Sequence, residues 1–290
     1  MGGQLAFAVV NGLVLGSAIF LVAAGLTLVF GILRIFNFAH GSFFMIGAYL
    51  AHAMLGQEPG SLPAYVGAAL VAGLAIGLVG LVTDRIVLRR LAGVSGEYSL
   101  IATFAILLLA EGATKLVFGQ GLYTVYPPPG LDRIADVGIP VTYYSVFIVG
   151  CGVVVFLWLE FSLHHLWWGK LVQAVARDPW MADVIGLRIQ RIKFISVGAS
   201  FALVGLAGGL LVANQSLSLD LGHSYLLLAF NSVILGGLGS VRGAFLAALL
   251  LGLFESLNAV LLPAAPGTVA YALLIAVILL RPAGLFPERA

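Results

Sequence analysis

Long apolar runs follow one another along this 290-residue chain with hardly a charge inside them. They lie at about 5–33, 41–56, 63–83, 98–118, 142–163, 192–213, 243–262 and 267–280, with a shorter stretch at about 224–237. A helix rising 1.5 Å per residue needs roughly 20 such residues to cross the hydrocarbon of a bilayer. The run from Ile195 to Ala213 carries no charge at all. One such run fits the core of a soluble domain. A succession of them does not, because no core of this size buries every helix on all sides. The composition agrees: 61% of residues are hydrophobic and 9% charged, against about 25% charged in soluble chains. The expected fold is all-α, a polytopic membrane protein of about eight transmembrane helices in one domain, 1–290. The 224–237 stretch is short for a span and reads as a broken or re-entrant helix. Such elements survive in a membrane only where protein or a cavity surrounds them.

The connections carry polar or turn residues, as in 57–63, 123–140 and 262–267. Orientation follows from where Lys and Arg fall. With 83–97 and 164–193 on the cytoplasmic side, twelve of the 14 Lys and Arg residues lie there, and only Lys115 and Arg133 lie opposite. That predicts the N-terminus outside and the C-terminus inside. The opening residues lack a basic leader segment, so the first run reads as a retained helix. Cys151 is the single cysteine and sits in an apolar run, which excludes an intrachain disulfide.

No phosphate-binding G-x-x-x-x-G-K-[ST] loop is present, so the chain does not itself hydrolyse nucleotides. No hydrolase or metal-ligand motif appears either, and no nucleic-acid contact or cofactor is expected. Three segments carry polar groups among apolar ones. In 170–194, Asp178 is a good helix N-cap, Pro179 suits the first turn and Gly186 a helix end. A short helix from Pro179 to Ile185 is expected. Its apolar residues either rest on lipid headgroups or meet a partner surface. In 34–51, Asn37, His40 and Ser42 interrupt an apolar sequence, with a turn expected at Gly41. They either face a pathway or cap helix ends. In 229–261, Gly236, Gly237, Gly239 and Gly243 demand a turn or close packing. There Glu255 and Asn258 lie inside an apolar span, where an ionisable group faces protein or a cavity. Glu111 and Lys115 are spaced i,i+4 with Glu first, and read as a mutually neutralising structural pair.

These residues resemble the LivH-type permease subunits of bacterial ABC importers for branched-chain amino acids. The likeness runs through 16–51, where Asn37–Gly41 reads NFAHG, then through 176–211, 233–255 and 280–288. The resemblance implies a second, LivM-like permease, two cytoplasmic ABC ATPases that bind the ATP, and a periplasmic substrate-binding protein. It implies a place in the bacterial inner membrane, and a coupling loop for the ATPases at Arg177, Asp178, Pro179, Met181, Ala182, Ile185 and Gly186. Asn37, His40, Asn231, Ser232 and Glu255 are the candidates for the translocation pathway. Relatives of the same class carry urea, short amides or aromatic acids, so those substrates remain open. An ion-coupled secondary transporter, with Glu255 as the coupling carboxylate, is the rival class, and a membrane-embedded enzyme the last.

Overall fold

A computed structural model describes residues 2–91, 94, 96–136, 140–261, 263, 265, 267–281 and 284–286. Arg289, assigned above to the basic side, lies outside the described residues. The chain runs α1 (Gly2–Leu33), α2 (Ala39–Leu55), α3 (Leu62–Thr83), a π-helical turn at Asp84–Leu88, α4 (Arg89–Leu91) and α5 (Gly96–Phe118). A small hairpin of β1 (Ile134–Asp136) and β2 (Pro140–Thr142) follows. Then come α6 (Tyr143–His165), α7 (Trp167–Arg177), α8 (Pro179–Val184), α9 (Ile189–Leu211), α10 (Leu221–Gly236), α11 (Val241–Leu261) and α12 (Thr268–Leu280). Among the described residues, six helices are long and apolar enough to cross a membrane, and α10 and α12 are shorter apolar helices. The protein is an all-α, multi-pass membrane protein.

Helices α1 and α9 form the centre. Helix α1 packs against α11, α9, α6 and α10, and α9 against α3, α2 and α1. Lipid tails are as apolar as leucine, so the hydrophobic effect does not pull these helices together, and close backbone approach has to. Glycine supplies that approach. A Cβ on Gly252 of α11 would sit 2.2 Å from the backbone nitrogen of Gly16 in α1. A Cβ on Gly236 would sit 2.2 Å from the carbonyl carbon of Gly243. Aromatic rings fill the wider gaps: Phe156 and Phe245 stack at 4.2 Å between centroids, with Phe20 edge-on to Phe245 at 4.9 Å. The outer faces of α3, α5 and α6 expose Leu74, Leu109 and Val154, as a lipid-facing surface requires.

Helix ends inside the bundle find partners for their unpaired carbonyls. The buried phenols of Tyr65 in α3 and Tyr144 in α6 both donate to the Leu210 carbonyl at the end of α9, each at 2.8 Å. The end of α10 is closed from the other end of the chain: Leu285 N–H donates to the Leu235 carbonyl at 2.8 Å and Phe286 N–H to Gly236 at 3.1 Å. The turn after α10 uses left-handed backbone at Gly237 and Gly239, as their crowding suggested. The turn between α1 and α2 does not fall at Gly41, as expected. It falls at 34–38, where Arg34 itself takes φ 54°. Gly41 lies inside α2 because the backbone of Gly222 packs directly on it.

Gly252→Val is expected to separate α1 from α11 and to lower detergent melting by the equivalent of about 1–3 kcal/mol. Gly112→Val is the control, since nothing lies within 4 Å of an added Cβ there. Fluorescence-detected thermal unfolding reads both, and equal melting of the two variants would refute the packing role.

Candidate functional site

The basic end of the bundle carries a built surface. Helix α7 turns off α6 at the extended residue Leu166 and buries Val172 and Val175. These pack with Ile32 of α1, Ala182 of α8 and Ile192 of α9 in one apolar cluster, separate from the main core. Asp178 caps α8 as expected, accepting from Met181 N–H at 2.9 Å, with Pro179 in the first turn. The helix ends in a Schellman motif: Leu187 N–H donates to the Ala182 carbonyl at 3.0 Å and Gly186 N–H to Asp183 at 2.9 Å. Gly186 takes φ 82°, a conformation L side chains rarely adopt.

This geometry divides the residues of the expected loop. Arg177, Asp178, Pro179, Met181, Ile185 and Gly186 are exposed. Ala182 is 2% exposed and belongs to the anchor beneath, in one cluster with Val172 and Val175 of α7 and Ile192 of α9. Trp180 and Val184, outside the expected loop residues, stand exposed at 71% and 63%, with Ile185 at 65%. Their spacing of four residues puts Trp180 and Val184 on one face of α8, the outer one. The Arg34 guanidinium donates to the Ala176 carbonyl at 3.0 Å, capping the negative end of α7 from the end of α1. Beside it a cleft of about 450 Å³ opens between α1, α7 and the α10–α11 turn, lined by Thr27, Arg34, Gln173, Asp178 and Gly239.

The expected pathway residues are not gathered on one opening. Asn37 and His40 are buried and bonded in a chain that ties three helices. Asn37 Nδ2 lies 3.1 Å from His40 Nδ1, and His40 Nε2 lies 3.1 Å from Ser200 Oγ of α9. Ser200 donates to the Gly25 carbonyl of α1. A neutral imidazole protonated at Nε2 satisfies every link: Asn37 donates to His40, His40 to Ser200, and Ser200 to Gly25. Ser200 went unnoticed because a hydroxyl within an apolar run reads as spacing until a partner is seen. Ser232 bonds back to the Ala229 carbonyl at 2.9 Å, and Asn231 is buried with its Nδ2 unpartnered.

Both intramembrane carboxylates have a partner outside their own helix. Glu255 accepts from Gly267 N–H at 2.9 Å and so caps the start of α12. Glu111 does not pair with Lys115. It pairs with His223 in the first turn of α10, Nδ1 to Oε1 2.8 Å, and Lys115 is exposed. Among the described residues, no group of three His, Cys, Asp or Glu is placed to hold a metal ion.

The family described as branched-chain amino acid transport system, permease component, matches residues 8–280. The chain belongs to this family. The permease protein BraD of Pseudomonas aeruginosa, of a high-affinity branched-chain amino acid transport system, is 30% identical over 95% of this chain and 94% of its own length. LivH of Escherichia coli, of a system with the same description, is 28% identical over 95% of this chain and 93% of its own. The ribose import permease protein RbsC of Escherichia coli is 30% identical over 81% of this chain and 73% of its own. No solved structure matches. Membership of this permease family gives the chain the place of a membrane component of a transport system, in agreement with the LivH-type resemblance.

His40→Phe removes the central link of the polar chain and leaves Asn37 and Ser200 without it. A loss of about 1–3 kcal/mol is expected, read as a lower melting temperature in detergent. An unchanged melting temperature would show that the chain contributes nothing to packing.

Proposed function

We propose that this permease is one of two membrane subunits of an ABC importer for branched-chain amino acids. Its partner is a second, LivM-like permease. Two cytoplasmic ATPases bind and hydrolyse the ATP, and a periplasmic protein delivers substrate. The N-terminus faces the periplasm, the C-terminus the cytoplasm, and the membrane is the bacterial inner one. The names of the BraD and LivH relatives support the substrate class, and the charge asymmetry supports the orientation.

The observation that carries the reading is the outer face of α8. Trp180, Met181, Val184 and Ile185 are exposed on a helix whose inner residue, Ala182, is locked to the bundle. A face of this kind is suited to docking in a groove of another protein, with apolar anchors at helical spacing. Movement of an ATPase against α8 would pass through the cluster of Val172, Val175 and Ala182 to Ile32 of α1 and Ile192 of α9. Those are the two central helices, so a displacement there reaches every neighbouring span. The cycle is alternating access without covalent chemistry: ATP-driven closure of the motors shifts α1 and α9 and reopens the pathway between the permeases.

The test is ATP-dependent uptake by the full complex in proteoliposomes, with leucine, ribose and urea offered separately. Leucine accumulation is expected. Ribose is included because RbsC is as similar as BraD over the region matched, and accumulation of ribose or urea alone would overturn the substrate. Uptake without the ATPase subunits would overturn the importer class in favour of ion coupling.

Ile185→Asp places a charge on the docking face without touching the anchor. Substrate-stimulated ATPase activity is expected to fall at least about tenfold, the scale of one interface hot spot. Gly186→Pro is expected to abolish coupling too, since proline cannot adopt φ 82°. Both proteins should elute from size exclusion as wild type does. Full uptake and ATPase activity in both would sink the coupling assignment.

A further inference from the structure

The Glu111–His223 pair stands in an unusual place. Its side chains keep 19% and 41% of their surface exposed. Glu111 lies seven residues before the end of α5, about 10 Å along the axis at 1.5 Å per residue. Leu108 and Leu109 just before it and Leu116 further on are exposed, as in a span. An ionisable pair left open at that depth does not face lipid. It faces water or another protein.

The uncovered face of α10 points the same way. Asp220, at its N-cap, Ser224 and Leu227 are exposed, and half-exposed His223 lies among them. Spacings of four and three residues put them on one side of the helix. The uncovered faces elsewhere differ: α6 shows Val154, Leu157 and Trp158, and α12 shows Leu279 and Leu280. Those faces suit lipid, and the α10 face does not. Its groups suit one ligand chemistry. The carboxylates of Glu111 and Asp220 match an ammonium, His223 and the Ser224 hydroxyl match a carboxylate, and Leu227 offers contact to an aliphatic side chain.

We propose that the Glu111–His223 pair and the adjoining α10 face are a recognition site for the zwitterionic head of a transported α-amino acid, on the pathway wall opposite the second permease. The site rests on the importer reading. The contact between the two side chains satisfies both while the site is empty, and a passing zwitterion exchanges partners with them. Binding is therefore weak, as release requires. Asn37 and His40, tied up in the interior, are positioning groups for the bundle and take no part.

The experiment uses the full complex in proteoliposomes, with Cys151→Ala removing the single native cysteine. Ser224→Cys should react with a membrane-impermeant thiol reagent, and more slowly during leucine turnover. Leu109→Cys, on the lipid face, should not react. Separately, Glu111→Gln should raise the KM for leucine uptake about tenfold, the scale of one charge-assisted hydrogen bond. ATPase stimulation by the loaded binding protein should remain. Normal leucine uptake with Ser224→Cys unreactive means a helix of the partner permease seals this face, and overturns the site alone. Reaction indifferent to leucine, or an unchanged KM in Glu111→Gln, also overturns it. Failure of the wild-type complex to take up any amino acid overturns the importer reading instead.

Discussion

Gly12 and Gly16 of α1 lie against the backbone of Gly252 in α11, and Gly208 of α9 lies against that of Phe44 in α2. These contacts hold the two central helices to their neighbours. In lipid, nothing is gained by moving an apolar side chain from tails to protein, so attraction has to come from close packing and from polar links. Glycine lets two backbones meet, and dispersion then acts along the whole contact. The rest depends on this. With α1 and α9 seated, the phenols of Tyr65 and Tyr144 reach the end of α9, and Ser200 reaches both His40 and Gly25.

The same two helices extend the argument to movement. Their basic ends, at Ile32 and Ile192, are where α7 and α8 are anchored. Arg34 adds a hydrogen bond from the end of α1 to α7. The exposed face of α8 is thus connected to the centre of the bundle by packed side chains, with one charged link from Arg34 to α7. A close-packed interior shifts as a unit rather than deforming locally, which is the property the proposed coupling route requires.

Polar groups within the spans fall into two kinds. One kind is spent on the subunit itself: the Asn37–His40–Ser200 chain, the Ser232 back-bond and the Glu255 cap on Gly267. The other, Glu111 with His223, is paired but left uncovered. In a medium without water, the first kind rigidifies and the second requires something else to cover it. That division separates scaffold from the proposed pathway wall.

Much of this was legible in the chain. Apolar runs set the spans to within a few residues, since a membrane demands length and hydrophobicity that composition cannot disguise. Asp178, Pro179 and Gly186 marked α8, because caps and left-handed turns depend on local chemistry. The glycines of 236–243 announced the α10–α11 turn. What failed was whatever depended on a partner distant in sequence. Glu111 suited Lys115 by spacing, yet α10 brings His223 to it from more than a hundred residues away. Glu255 gains a partner that its own helix does not hold, the Gly267 N–H, where the chain returns. Ala182 and Trp180 exchanged roles once α7 and α9 covered one side of α8. The sequence by itself determined that the chain crosses a membrane many times, which end is basic and where its short helix starts and stops. Only the tertiary structure decided which polar groups are spent inside and which remain open, because a side chain's partner in a bundle is set by which helices touch.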